Sequence, residues 1–283
     1  MTRKNQASQI LPLFLDGTAG RLFAIYRAPP TAPRQAVLFL PPFAEELNKC
    51  RRMMTLQAEM LTRLGIGGMV IDLYGTGDSE GYFDDARWDI WLNDVGTGIK
   101  WLREQGIEQV ILLGVRVGAL VAAHAAQVMT QPIDKLVFWA PVLRGEAFLT
   151  QFLRMRLAAD LTRDGDRTTT QDLRNTLAAG KTVEVAGYGL APELAASLAA
   201  TDLRTFAAPG LPPVVWLEVS SNSERGLTPA SSTVLDAFQQ AGIPVDAEVV
   251  KGDPFWATSE IATAPLLLER TCHHLYNIGH MHG

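Results

Sequence analysis

The chain has few of the features that would place it in a specialised class. Only two of its 283 residues are cysteines, Cys50 and Cys272. Two are too few for a disulfide framework, so a reducing compartment is expected. The apolar stretch at residues 10–15 ends at Asp16, whereas a membrane-spanning helix needs about 20 apolar residues. These absences predict a cytoplasmic protein without a membrane span.

Charge is also sparse and balanced. Charged residues make up 19% of the chain, the formal net charge is -5, and no block of five like charges occurs. A nucleic-acid-binding protein needs a basic patch that neutralises phosphates, so no nucleic-acid partner is expected. The scattered acidic residues at 78–85 have no histidine nearby and are interpreted as a solvated loop.

Hydrophobic residues make up 47% of the chain, and short apolar runs alternate with longer helical ones. This order predicts an α/β protein with a mostly parallel sheet and helices on both faces. An antiparallel hairpin is expected at its start. The alternation breaks at residues 144–210 and then resumes. We therefore predict a core formed by residues 1–143 and 211–283, with 144–210 as a helical cap inserted after the sixth strand.

The junction at residues 114–118 is the most informative feature. Its sequence, Gly-Val-Arg-Val-Gly, follows an apolar run at 109–113 and opens a helical run at 119–128. This is the setting of the G-x-S-x-G nucleophile elbow, a sharp strand-to-helix turn that exposes one side chain above the sheet. Here that side chain is Arg116, a permanent cation with no lone pair to offer. The sequence therefore predicts the backbone turn of a serine hydrolase, with arginine at the position of the nucleophilic serine.

The order of elements resembles the α/β-hydrolase fold over nearly the whole chain, with eight strands, the elbow after the fifth and a cap after the sixth. Residues 41–49, 114–118 and 183–188, with Leu190 and Pro192, resemble one bacterial group, the exosortase A system-associated hydrolases of the second type. The resemblance implies a link to exopolysaccharide production and exosortase-dependent protein sorting. It implies no particular reaction.

The other two members of a catalytic triad are also sought in the chain. A histidine should follow the last strand, within residues 251–256, and none is present. The next histidines, His273 and His274, are predicted to lie beyond a further helix. The acid should follow the preceding strand, where Glu224 is a weak candidate. Conventional Ser-His-Asp catalysis is therefore not expected.

Two other residues are weighed as catalytic groups. Cys50 is flanked by Lys49 and Arg51, and neighbouring cations would lower the pKa of its thiol and raise its reactivity. No histidine is placed to act as its base. His124 lies about 12 Å of helical rise beyond the elbow, too far to serve it, and is interpreted as a residue of the helix face.

The C-terminal region was considered as a metal site because it concentrates histidine. The residues concerned are Cys272, His273, His274, His280 and His282. Cysteine and histidine can bind zinc, but this spacing matches no finger or protease pattern. No metal site and no cofactor are predicted.

Arg116 has two alternative roles. A helix N-terminus favours negative charge, and arginine suits carboxylate or phosphate through paired hydrogen bonds. Amides of the elbow and of the loop after the third strand could complete an anion site. Alternatively, a glutamate of that loop could neutralise the guanidinium. The predicted ligand-binding residues are Arg116, Val117, Phe43, Ala44, Glu45 and Glu46.

Three functions stay open at this point. The first is a diverged hydrolase-fold protein that binds an acidic small molecule or a protein partner in an exosortase-linked or exopolysaccharide-linked pathway. The second is an ester or acyl hydrolase with an unrecognised nucleophile, such as Cys50. The third is a non-catalytic assembly protein that docks a biosynthetic enzyme.

Overall fold

The computed structural model describes residues 8–160, 168–222 and 224–276, apart from the side chains of 158–160. Ten strands lie within this part of the chain. They are β1 (Gln9–Asp16), β2 (Arg21–Ala28), β3 (Gln35–Leu40), β4 (Gly67–Ile71), β5 (Gln109–Val115), β6 (Lys135–Trp139), β7 (Val183–Val185), β8 (Tyr188–Leu190), β9 (Val214–Ser220) and β10 (Val245–Lys251).

Eight α-helices connect or flank these strands in the described residues. They are α1 (Glu46–Arg63), α2 (Trp88–Glu104), α3 (Val117–Val128), α4 (Gly145–Asp160), α5 (Thr170–Ala178), α6 (Pro192–Ala200), α7 (Pro229–Gln240) and α8 (Pro265–Tyr276). None of them is long and apolar enough to cross a membrane.

Eight strands form one sheet in the order β1-β2-β4-β3-β5-β6-β9-β10. β1 pairs antiparallel with β2, and β2 with β4. Every other neighbouring pair in this sheet is parallel. The opening hairpin and the mostly parallel eight-stranded sheet are thus confirmed, and the architecture is the α/β-hydrolase fold.

Helices cover both faces of this sheet, and successive residues of a central strand serve opposite faces. In β3, Leu38 and Leu40 belong to one apolar cluster, whereas Val37 and Phe39 belong to the other. All four are fully buried. This two-sided burial explains why the central strands appear in the sequence as continuous apolar runs. Because β3, β5, β6 and β9 are parallel, their carboxyl ends lie along one edge of the sheet.

The segment between β6 and β9 holds α4, α5 and α6 and the small hairpin of β7 and β8. The start and the end of this segment lie side by side and are joined by backbone hydrogen bonds. The Gly145 amide donates to the Thr201 carbonyl at 2.8 Å, and the Leu203 amide to the Leu143 carbonyl at 2.8 Å. We call residues 144–210 the inserted segment.

The predicted limits of the last helix were wrong. It begins at Pro265, because proline is pre-organised for the first helical position and needs no amide partner there. The helix after β10 was predicted to end before His273, but α8 extends to Tyr276. As a result His273 and His274 lie in its last turn and not beyond it.

Candidate functional site

Arg116 occupies the turn between β5 and α3 with φ 55° and ψ -114°. This is a strained backbone conformation for an L-residue, and such positions cost about 1–3 kcal/mol each. Three hydrogen bonds hold it. The Arg116 amide donates to the Trp139 carbonyl at 3.0 Å, and its carbonyl accepts from Ala119 at 3.1 Å and Val142 at 3.2 Å. The elbow therefore keeps the backbone geometry of a nucleophile turn.

The two glycines of the elbow are required by close backbone approaches. A Cβ on Gly114 would lie 2.5 Å from the Ala119 nitrogen, and a Cβ on Gly118 would lie 2.3 Å from the Leu40 carbonyl oxygen. Either contact is too short for a real side chain. The glycine spacing in the sequence therefore reflects the packing of α3 against β5 and against the end of β3.

The guanidinium of Arg116 has three neighbours. Its Nη1 donates to the Ala140 carbonyl at 3.1 Å, and its Nε and Nη2 each lie 3.4 Å from Oε1 of Glu46. Its Cζ lies 4.9 Å from the centroid of the Trp256 ring, within the range of a cation–π interaction. Of the two glutamates considered from the sequence, Glu46 pairs with Arg116. Glu45 forms no ion pair with any residue that the structure describes.

Glu46 is an imperfect counter-ion. Its side chain is nine-tenths buried at the start of α1, and its Oε2 has no hydrogen-bond partner among the described residues. Burial raises the pKa of Glu46 to about 7, although Arg116 opposes this and the neighbouring Glu45 adds to it. Near neutral pH the carboxyl group is therefore only partly ionised, and it neutralises the positive charge of Arg116 only in part.

Arg116 faces a cavity of about 280 Å³, and its side chain is 17% exposed. The cavity lies where the carboxyl ends of β5, β6 and β9 meet the first turn of α7. Its lining combines hydroxyl groups, an indole and a second arginine. The lining residues are Arg116, Ala140, Pro141, Leu143, Glu218, Val219, Ser220, Arg225, Thr228, Ser231 and Trp256.

The loop and elbow residues predicted to supply amides lie elsewhere. Phe43, Ala44 and Val117 line a separate void of only about 10 Å³, roughly the minimum for one water molecule. The Phe43 ring fills this region. Of the six predicted ligand-binding residues, three thus surround a closed void. Arg116 lines the cavity, Glu46 pairs with Arg116, and Glu45 is half-buried beside it.

An aromatic cluster holds the Phe43 ring in place. Its centroid lies 5.1 Å from Phe83, 5.9 Å from Trp91, 5.6 Å from Phe148 and 5.1 Å from Phe152, all edge-to-face. Phe148 and Phe152 belong to α4 of the inserted segment. In a serine hydrolase this side of the elbow supplies an oxyanion donor from the loop after the third strand. Here aromatic side chains occupy this side of the elbow, and the void beside them is only about 10 Å³.

The expected positions of the histidine and the acid hold other groups. The segment after β10 presents Trp256 to Arg116. Glu224 is exposed, its amide donates to Asn222 Oδ1 at 3.0 Å, and it is not part of the cavity lining. Glu218 lines the cavity and accepts from Trp216 Nε1 at 3.3 Å. Neither carboxylate has a histidine partner among the described residues.

The described histidines have structural partners. His124 Nδ1 accepts from Trp88 Nε1 at 2.9 Å, and its ring packs against Phe206 at 5.2 Å. Burial lowers the pKa of His124. His274 Nδ1 lies 2.9 Å from Oδ2 of Asp246, at the start of β10. The interpretation of His124 as a residue of the helix face agrees with these contacts.

Cys50, which was weighed from the sequence as an alternative nucleophile, lies in the core. Its side chain is fully buried. Burial, assisted by the nearby Glu46, raises the pKa of the thiol well above its ordinary value, and the weaker effects of Arg116 and Lys49 do not offset this. Since the thiolate is the nucleophile, both the burial and the raised pKa of Cys50 disfavour it as an alternative catalytic group.

No group of residues suited to hold a metal ion occurs in the part of the chain that the structure describes. The Cys272 sulfur accepts from Gln57 at 3.1 Å. His280 and His282 lie outside the described residues.

Sequence analysis missed two partners of Arg116. The first, the Ala140 carbonyl, follows β6 at a residue with φ 43° and has no signal in the sequence. The second, Trp256, lies in the segment searched for the triad histidine. An aromatic residue there, facing a cation at the elbow, is a pair that the sequence could have suggested.

Known proteins were compared with this chain. The structure of Est1E from Butyrivibrio proteoclasticus with bound ferulic acid gives a TM-score of 0.67 at 15% identity, covering 94% of this chain and 98% of that one. A thermostable carboxyl esterase from Bacillus coagulans, in complex with glycerol, gives 0.61 at 14%, covering 96% and 97%. A serine hydrolase without a lid from Xanthomonas campestris gives 0.57 at 15%, covering 95% of each.

At these identities the similarity to solved structures establishes the fold alone. No curated relative matches the sequence. The family model of serine aminopeptidase S33 matches residues 31–174, just over half of the chain, including the elbow. The chain therefore belongs to the serine aminopeptidase S33 family of α/β hydrolases.

Proposed function

We propose that this chain is a diverged α/β hydrolase that binds an acidic small molecule beside Arg116 and does not carry out serine-type hydrolysis. The observation on which this rests is the Arg116 guanidinium, which lines an open cavity from the position of the missing nucleophile. The strained turn is retained although it carries no serine.

Three features of the cavity favour an anion. Arg116 is held by a backbone carbonyl and by the Trp256 ring, neither of which removes its charge. Its counter-ion Glu46 contacts it at 3.4 Å, a long distance for a charge-assisted hydrogen bond. Arg225, in the same lining, is exposed and has no ion pair with any described residue. Hydroxyls of Ser220 and Thr228 could orient a carboxylate or phosphate.

The wider context of this proposal comes from the sequence. The resemblance to exosortase A system-associated hydrolases of the second type suggests a role next to exopolysaccharide production or exosortase-dependent sorting, in the cytoplasm, with a protein of that system as a further partner. Residues 144–210 would act as a cap on a core formed by 1–143 and 211–283. The contact of Phe148 and Phe152 with Phe43 supports this division.

Ligand binding should depend on Arg116. We expect glucuronate or glucose 1-phosphate to raise the melting temperature of the wild type, because a site at 100 times its Kd adds about 2.7 kcal/mol. Arg116→Ala should lose this gain. Arg52→Ala, which removes an exposed arginine of α1, is the matched control and should keep it. Differential scanning fluorimetry with glucose as the neutral comparison measures both.

A second variant covers the case in which Arg116→Ala is poorly folded. Glu46→Gln removes the competing carboxylate and keeps an oxygen that can accept from Arg116. It should bind the same anions more tightly at pH 8 than the wild type does. Equal anion affinities in the wild type, Arg116→Ala and Glu46→Gln would contradict the proposal.

Ester hydrolysis should be absent. Loss of a triad nucleophile costs on the order of 10⁶ in turnover in a well-studied protease, and the void beside Phe43, of only about 10 Å³, offers little room for a substrate on that side of the elbow. The wild type should hydrolyse p-nitrophenyl acetate no faster than Arg116→Ala does. A hydrolase with an unrecognised nucleophile would instead be favoured if a fluorophosphonate probe labels one residue and substitution of that residue abolishes turnover.

A further inference from the structure

A second cavity of about 350 Å³ lies next to the one that contains Arg116. It opens where the inserted segment meets the outer face of α7. Its lining residues are Leu143, Arg144, Asp202, Arg204, Ala230, Thr233 and Val234. No part of the proposed function uses it.

The two cavities adjoin along two elements. Leu143 lines both of them. On α7, Ser231 faces the first cavity and Val234 the second, and residues three apart on a helix have Cβ atoms only about 5–6 Å from each other. One extended molecule can therefore lie over the first turns of α7 and contact both.

The second cavity carries two more arginines. The side chain of Arg144 is 68% exposed, and its Nε is 4.0 Å from Oδ2 of Asp202. Asp202 is partly occupied with its own backbone, because its Oδ1 accepts from the Arg204 amide at 2.9 Å. The Arg204 side chain is exposed and forms no ion pair within the described part of the chain. This lining thus contains two guanidinium groups and one carboxylate, which pairs only with Arg144.

The two linings together contain four arginines, with Glu218 and Asp202 as the opposing carboxylates and Glu46 behind Arg116. This local excess of positive charge occurs in a chain whose formal net charge is -5. It is divided between two places, one on each side of the start of α7. Such a division suits a ligand whose anionic groups are separated along its length.

We propose that the ligand is an extended molecule with at least two anionic groups, one beside Arg116 and Arg225 and the other beside Arg144 and Arg204. This deepens the proposed function and rests on it. Acidic sugars and acidic peptides share this chemistry. Thr233 lines the second cavity, and its hydroxyl oxygen can accept a hydrogen bond from the backbone of either, because its proton is donated to the Pro229 carbonyl at 3.0 Å.

The dependence of binding affinity on the length of the ligand tests this inference. Galacturonic acid and its trimer, and glutamate and its tripeptide, are titrated into the full chain by calorimetry. At least one trimer should bind about tenfold more tightly than its monomer, as expected when a second charge-assisted contact forms. The series that shows this difference identifies the backbone that the site accepts.

Variants separate the two cavities. Arg204→Ala, at an exposed residue without an ion pair to any described residue, should reduce the affinity for the trimer to that for the monomer and leave monomer binding unchanged. Arg116→Ala should weaken both, and Arg52→Ala neither. If monomer and trimer bind equally well, or Arg204→Ala leaves the preference intact, the inference is wrong while the proposed function stands. If no anion binds, both are wrong.

Discussion

Replacing Phe43 by alanine is expected to lower the free energy of unfolding by about 3–5 kcal/mol, the usual cost of removing a buried aromatic ring. Phe43 is only 2% exposed, and four aromatic side chains surround it edge-to-face, two of them from α4. The lost ring would leave a cavity that these rigid neighbours cannot fill. Urea unfolding followed by tryptophan fluorescence measures the change.

A control variant and a ligand-binding test accompany this measurement. Ile261→Ala, at a residue 63% exposed, is the control and should change stability by no more than about 0.5 kcal/mol. The new apolar cavity in Phe43→Ala should accept benzene, which would then stabilise the variant and not the wild type. A loss below about 1 kcal/mol without benzene binding would mean that Phe43 does not close the former oxyanion side of the elbow.

Stability should decrease as the pH rises from about 4.5 to 7, because of Glu46. Its folded pKa of about 7 exceeds the ordinary value of 4.5, so the folded state binds more protons in this window than the unfolded state does. The stabilising effect of that proton is complete below about 4.5 and is lost as the pH rises through 7. A shift of this size corresponds to about 3 kcal/mol.

Substitution of Glu46 isolates its contribution to the pH dependence of stability. Measured by urea unfolding at several pH values, the stability of Glu46→Gln relative to the wild type should increase by about 3 kcal/mol between pH 4.5 and 8. Asp94→Asn should show the same sign, since burial raises the pKa of Asp94 to about 7. Asp172→Asn is a control that should show no such increase, because hydrogen bonds from Thr169 lower the pKa of Asp172 below its ordinary value of 3.8, which is already below this pH range. Parallel curves for Glu46→Gln and the wild type would contradict the assignment.

The backbone conformation of the site could be predicted from the sequence because it is determined by residues close together along the chain. Gly114 and Gly118 flank a strand-to-helix turn, and this spacing alone indicates an elbow with Arg116 at its tip. The alternation of buried strands and helices likewise predicted the sheet. Both signals come from residues close together along the chain, where periodicity and turn chemistry decide the structure.

The direction of the Arg116 side chain could not be predicted in the same way. Its long side chain has many rotamers, and the one observed is selected by the Ala140 carbonyl, Glu46 and Trp256. These partners lie 24, 70 and 140 residues away in the chain. The packing of the Phe43 ring likewise depends on distant residues, Phe148 and Phe152 of the inserted segment.

The paired start and end of the inserted segment also affect how the protein can change over evolutionary time. Because Gly145 and Thr201 are hydrogen-bonded to each other, the core experiences the whole segment as a single closed loop. Loop closure costs only about 0.6 kcal/mol more for each doubling of length. Changes in the length of the segment's surface turns should therefore have little effect on β6 or β9, provided that the side chains it contributes to the core cluster, such as Phe148 and Phe152, are kept.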